Sequence, residues 1–251
     1  MARTMTLTAA HVARVHRQMA DQVVAAQTLH NDADYADWVQ RILSTHPAPD
    51  QPTRLFAYGS LIWKPEIPNV AEAEARAYGW HRSFCLRLVR YRGTPEFPGL
   101  MMALDRGGSC RGMLYTLPND DLPGQMDRLF RREFTLKPIT NTPRWITVKA
   151  QATQHPALAF VMNRASANYA GRLAPAAVAD VLARACGHVG SGAEYLFNTV
   201  SHLEAKGIHD KALWTLQRLV AERIDATKPP GQESQSVTKG RSPIRSAIIT
   251  R

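Results

Sequence analysis

Two short stretches of the sequence carry residue types suited to acid–base and oxyanion chemistry. The first is Phe56-Ala-Tyr-Gly-Ser-Leu-Ile-Trp63. A strand that ends in Gly59-Ser60 lets the backbone N–H groups that follow point outward together. Such a turn holds a carboxylate or a developing oxyanion. The same residues also suit an ordinary strand and turn. Ser60 is a weak candidate for a nucleophile, because it lacks the G-x-S-x-G elbow and no histidine has an evident claim to be its base. The second stretch is Phe130-Arg-Arg-Glu-Phe134. A glutamate at the end of an amphipathic helix, between aromatics, stands where burial raises its pKa toward that of a general acid and base. Glu133 also has Arg131 and Arg132 beside it, and a surface ion pair is the commoner role for such a glutamate.

Other chemistries find less support. The nine histidines form no H-x-x-x-H pair and none has a C-x-x-C partner, so no metal site is expected. Gly187-His-Val-Gly190-Ser-Gly192 is glycine-rich, but it follows a helix and has no G-K-[ST] ending. It reads as a loop between helices rather than a phosphate cradle. Cys85, Cys110 and Cys186 are far apart and odd in number, which predicts buried thiols rather than disulfides.

The net charge of +10 raises the question of nucleic acid. Its distribution argues against that partner. The segment from Lys228 to the end has five basic residues and one acid, and the first 50 residues have four basic and five acidic, which leaves +7 between them. Much of this is arginine in strand-like segments (Arg82, Arg87, Arg90, Arg92), with no basic block interleaved with aromatics. Surface solvation comes first as an explanation and an anionic small substrate second. No apolar run reaches the roughly 20 residues of a membrane-spanning helix, and Met1–Ala10 is not a secretory signal. A cytoplasmic protein with no nucleic-acid, membrane or obligate protein partner is the expectation.

The elements that must position these residues follow from periodicity. Val12, Val15, Met19, Val23 and Val24 predict a helix over Ala9–His30, and Trp38, Val39, Ile42 and Leu43 a second over Asp34–Leu43. His46–Pro52 is a linker. Arg54–Ser60 predicts a strand and turn. Ala75–Tyr91, Leu100–Leu104 and Gly112–Leu117 read as strands, Asp120–Arg132 as an amphipathic helix, and Trp145–Ala150 and Ala157–Met162 as strands again. Helices are expected from Pro175 to Cys186, Glu194 to Lys206 and Asp210 to Ile224. Strands first and helices last predict an α+β fold. The chain divides into a helical extension and linker (1–52), a main domain (53–227) and a basic tail (228–251) whose composition predicts disorder.

Taken together, these segments resemble the ChaC family of glutathione-specific γ-glutamylcyclotransferases. Four stretches match in order. They are Tyr58–Leu61 with Ile62-Trp63; Gly79–Arg82 with Phe84, then Arg92–Pro95 and Pro98-Gly99; Arg132-Glu133 with Pro143–Trp145; and Glu194–Phe197 with Leu203, Gly207, Asp210 and Leu213. The resemblance covers about Arg54 to Arg223. It implies a small mixed β-barrel with flanking helices, and cleavage of glutathione to pyroglutamate (5-oxoproline) and cysteinylglycine without metal or organic cofactor. It makes Glu133 the general acid and base, and Tyr58, Gly59, Ser60 and Leu61 the binders of the γ-glutamyl group. Tyr195 matches a tyrosine that lines the family's cleft. One departure stands out: many bacterial members have a tyrosine between the glutamate and the Pro-Arg-Trp block, and Phe134–Thr142 has none. A cyclotransferase for another γ-glutamyl amine or dipeptide and a non-catalytic binding or regulatory protein of the same fold are the alternatives.

Overall fold

The computed structural model describes residues 4–21 and 28–227. The basic tail from Lys228 and the valines at 23 and 24 lie outside the described residues. The chain opens with helix α1 (Ala9–Val15), capped by a reciprocal Thr8–His11 box. The helix expected to reach His30 stops here, because tertiary anchors hold the residues after it. Arg17 donates to the Arg184 carbonyl at 2.6 Å, and Asp21 takes two hydrogen bonds from Arg90 at 2.8 and 2.6 Å. Strand β1 (Thr28–Leu29) follows, and then α2 (Asp32–Ser44), which starts at an Asn31–Asp34 capping box.

The central part is a closed barrel. Strand β2 (Arg54–Ala57) leads through a tight turn into the short helix α3 (Ser60–Trp63). Strands β3 (Ala71–Leu88) and β4 (Gly99–Thr116) are each 18 residues long and pair antiparallel from Ala71↔Thr116 to Leu88↔Gly99. Leu100–Leu104 and Gly112–Leu117, expected as separate strands, are parts of this one β4, with Gly107-Gly108 between them. The hairpin takes up these glycines in the register shift at Gly79, which has φ +78°. Helix α4 (Leu122–Glu133), the short strand β5 (Leu136–Lys137), β6 (Asn141–Ala150) and β7 (Thr153–Met162) come next. The barrel order is β2-β4-β3-β6-β7, and β7 closes it by pairing with β2 and β4. Phe56, Phe130, Phe160, Leu104 and Leu158 are fully buried in its core.

Helix α5 (Pro175–Leu182), the small hairpin β8 (Cys186–Gly187) and β9 (Gly190–Ser191), helix α6 (Gly192–Ala205) and helix α7 (Lys211–Ala226) complete the described chain. The glycine-rich segment expected as a loop is thus a two-stranded hairpin. Among the described residues no helix is long and apolar enough to cross a membrane.

Candidate active site

Helix α4 has a strong apolar face: Met126, Leu129 and Phe130 are buried against the barrel. Its last residue is Glu133, so the packing of α4 fixes where that carboxylate stands. It lines a cleft of about 490 Å³ together with Tyr58, Gly59, Ser60, Leu61 and Tyr195. These six residues, from three separate parts of the sequence, share one cavity.

The Glu133 side chain is only 13% exposed. Among the described residues it makes no hydrogen bond. Arg132 Nε lies 3.4 Å from its Oε1, but the same guanidinium is shared with Glu66 at 3.6 Å and with the Lys64 carbonyl. Arg131 faces the other way, to Asp127 at 2.7 Å and Asp32 at 2.8 Å, and lies over the Tyr35 ring. The surface ion pair suggested by composition is therefore reduced to one oblique contact. Burial pushes the Glu133 carboxyl up to about 7; Arg132 pulls against that shift and Glu66 adds to it. Its place at a helix C-terminus works in the same direction as burial.

The turn after β2 is held from behind. The Tyr58 hydroxyl donates to the Phe160 carbonyl at 2.8 Å, and the Tyr58 carbonyl accepts from Arg82 Nε at 2.6 Å. Arg82 is itself buried, with its side chain 3% exposed, and pairs with Asp210 at 3.0 Å. The chain comes so close to α6 that a Cβ on Gly59 would lie 2.7 Å from the Tyr195 hydroxyl oxygen and 3.1 Å from Met102 Cε. Burial, and then the nearby Glu133 charge, raise the Tyr58 hydroxyl well above its usual range and the Tyr195 hydroxyl to about 12. Both stay protonated at neutral pH; Tyr58 commits its proton to the Phe160 carbonyl, which leaves the Tyr195 hydroxyl as the donor for the cleft. No histidine hydrogen-bonds Ser60 among the described residues, so Ser60 has no base.

Residues outside the candidate set also reach the cleft. Thr135, Leu136, Thr140 and Asn141 line it, so the connection that lacks a tyrosine still contributes a wall. From the opposite wall Tyr91 reaches across, its hydroxyl 2.5 Å from Thr135 Oγ1. Asn141 is buried, and its Oδ1 has no partner among the described residues. Arg92 and Glu194 line the cleft as an ion pair at 2.7 Å. The sequence put Arg82 and Arg92 among residues that solvate a surface; instead both are buried. Nothing in their spacing marked them, because their partners, Asp210 and Glu194, are more than 100 positions away. All three cysteines are buried and free, and burial pushes the Cys85 and Cys110 thiols up to about 11. Among the described residues no three His, Cys, Asp or Glu side chains gather into a metal-binding group.

Comparison with known proteins gives a consistent picture. The glutathione-specific γ-glutamylcyclotransferase of Escherichia coli (strain K12) is 34% identical over 192 residues, spanning 73% of this chain and 81% of that protein. The γ-glutamylcyclotransferase 2-3 of Arabidopsis thaliana is 28% identical, over 66% of this chain and 87% of the plant protein. A yeast γ-glutamyl cyclotransferase specific to glutathione, known from its crystal structure, superposes with a TM-score of 0.62 at 18% identity, over 69% of this chain and 97% of that one. The barrel with its flanking helices is thus the γ-glutamylcyclotransferase-like fold. The profile of the ChaC-like protein family matches residues 53–223, and the chain belongs to that family.

Proposed function

We propose that this chain is a γ-glutamylcyclotransferase that cleaves glutathione to 5-oxoproline and cysteinylglycine, with Glu133 as its acid and base. The observation that carries the reading is Glu133 itself: a carboxyl buried in the cleft, free of hydrogen bonds among the described residues, with its pKa raised to about 7. A group of that pKa both takes and returns a proton near neutral pH. The E. coli relative's name supports glutathione as the substrate.

In this mechanism the γ-glutamyl group folds so that its α-amine faces its own γ-carbonyl. The amine attacks the carbonyl carbon as its free base, and the displaced electron pair moves to oxygen. The ionised Glu133 takes one proton from the nitrogen as it becomes positively charged. Backbone N–H groups of the Gly59–Leu61 turn, with the Tyr195 hydroxyl beside them, suit that oxyanion. When the carbonyl re-forms, the bond to the cysteine nitrogen breaks and Glu133 returns its proton there. The lactam leaves as 5-oxoproline, and the thiol-bearing dipeptide as cysteinylglycine. Because the nucleophile is tethered, holding the bent conformer lowers the barrier by roughly 7–11 kcal/mol. The proton shuttle adds about 10²–10⁴-fold.

Purified protein incubated with glutathione should release 5-oxoproline and cysteinylglycine in equal amounts. It should turn over γ-glutamylalanine more slowly. Absence of 5-oxoproline from every γ-glutamyl compound tried would exclude the reading.

A further inference from the structure

Arg92 is 7% exposed, yet half of its hydrogen-bonding edge has no partner among the described residues. Its Nη1 donates to the Ser191 carbonyl at 2.8 Å and to Glu194 Oε2 at 2.7 Å. Its Nε and Nη2 hydrogen-bond no group among the described residues. A guanidinium cannot shed its charge in a protein, and these two nitrogens stay accessible rather than sealed in the core, open to a partner from outside the chain. Elsewhere in this molecule the Nε/Nη2 edge grips a carboxylate with both prongs. Arg90 holds Asp21 this way at 2.8 and 2.6 Å, and Arg111 holds Glu74 at 2.6 and 2.8 Å.

The surroundings keep that edge in place. The Arg92 guanidinium lies 5.5 Å from the centroid of the Tyr195 ring, the same tyrosine that meets the Gly59 turn. The loop carrying Arg92 is clamped to the β8–β9 hairpin by a hydrogen bond from Val189 N to the Tyr91 carbonyl at 3.0 Å. Glycines make the contact possible. A Cβ on Gly187 would lie 2.2 Å from the Tyr91 carbonyl oxygen, and one on Gly190 would lie 2.0 Å from Glu194 Oε2 and 3.0 Å from Arg92 Nη1. Backbone and partner thus hold the guanidinium at Nη1, in a residue that lines the cleft.

We infer that Arg92 binds a substrate carboxylate through its Nε/Nη2 edge, with Glu194 as the residue that positions it. The inference rests on the proposed glutathione chemistry and adds a specificity contact to that site. Glutathione carries a carboxylate at its γ-glutamyl α-carbon and another on its glycine, and the same fork suits either.

The test compares the parent with Arg92→Gln and Arg92→Lys on three substrates. These are glutathione, its glycine ethyl ester, and γ-aminobutyryl-cysteinylglycine, which keeps the nucleophilic amine and lacks only the α-carboxylate. On glutathione, Arg92→Gln should lose about 10–100-fold in kcat/KM, as expected for charge-assisted hydrogen bonds. Arg92→Lys should recover little of it, because an ammonium has no two-pronged edge. On the analogue that lacks the gripped carboxylate, parent and variant should differ by less than about 3-fold, since contacting groups are not additive. Insensitivity confined to the ester assigns the fork to glycine, and insensitivity confined to the aminobutyryl compound assigns it to the α-carboxylate; either outcome sustains the inference. Equal losses on all three substrates would mean that Arg92 acts only through the fold, and unchanged kcat/KM on glutathione would mean that it binds nothing; each overturns it. A parent that leaves glutathione intact would remove the proposed function, and this inference with it.

Discussion

Glu133 and Arg132 set two effects against each other in one residue pair. Burial favours the neutral carboxyl and the oblique contact with Arg132 favours the charged one, and burial wins: the group titrates at about 7 rather than 4.5. Two consequences are measurable. In catalysis, Glu133→Gln keeps the shape and removes the base, so turnover should fall by at least about 10²-fold. The kcat/KM profile of the parent should rise with pH through about 7. In stability, the sign follows from linkage. Glu133 holds its proton more tightly in the folded than in the unfolded chain. Its contribution is therefore fully present below pH 4.5 and is lost as the pH rises through about 7. That loss amounts to roughly 3 kcal/mol at most. Glu133→Gln does not titrate, so it should gain on the parent between pH 4 and pH 8, as read by urea unfolding. A stabilising ion pair with Arg132 would give the opposite sign at pH 8, with near-normal turnover.

At the level of elements, the β2–α3 turn depends on two close fits. Gly59 has no room for a Cβ against the Tyr195 hydroxyl. Gly59→Ala should cost about 1–3 kcal/mol in overpacking and should slow turnover. Combining it with Tyr195→Phe, which deletes the obstructing oxygen, should return most of the stability; strictly additive losses in melting temperature would count against the contact. Arg82 is the second fit. It ties the Tyr58 carbonyl to Asp210, and its removal leaves a carboxylate without its buried partner. Arg82→Met should destabilise the chain by about 3–5 kcal/mol, and an unchanged melting curve would show that the pair supports nothing. The sequence made some of this legible and hid the rest. The apolar repeat of α4 was plain, and with it the position of Glu133 at the helix end. The turn at Gly59-Ser60 was plain as well. The single long β4 was not, because its glycine interruption looks like a turn until β3 is laid beside it. The early end of α1 was hidden too, since the contacts of Arg17 and Asp21 that draw the following residues away are made with distant segments.

In the whole molecule, the described part of residues 1–52 belongs to the same hydrophobic core as the barrel. Leu7, Val15, Tyr35 and Ile42 are all buried in it. The apolar faces of this extension predict packing on the main domain but not on which element, because an apolar stripe does not name its partner. The structure supplies the partner: α2 packs on α4, the Tyr35 hydroxyl donates to the Phe134 carbonyl at 3.1 Å, and Trp38 meets the Phe134 ring edge-on. Strand β1 pairs with β5, and His30 N donates to the Thr135 carbonyl at 3.0 Å. The segment thus braces the residues that directly follow Glu133. Burying each such side chain is worth about 1.5–3 kcal/mol, so those four side chains contribute on the order of 6–12 kcal/mol. That is comparable with the whole stability of a typical domain, about 5–15 kcal/mol. Deleting residues 1–52 should therefore leave a chain without a cooperative thermal transition and without activity. A gentler change probes the brace itself: Trp38→Ala empties the space beside Phe134 and should lower turnover while the barrel still melts cooperatively. A fragment of residues 53–227 that melts within a few degrees of the full chain, with turnover intact, would show that the extension only decorates the barrel.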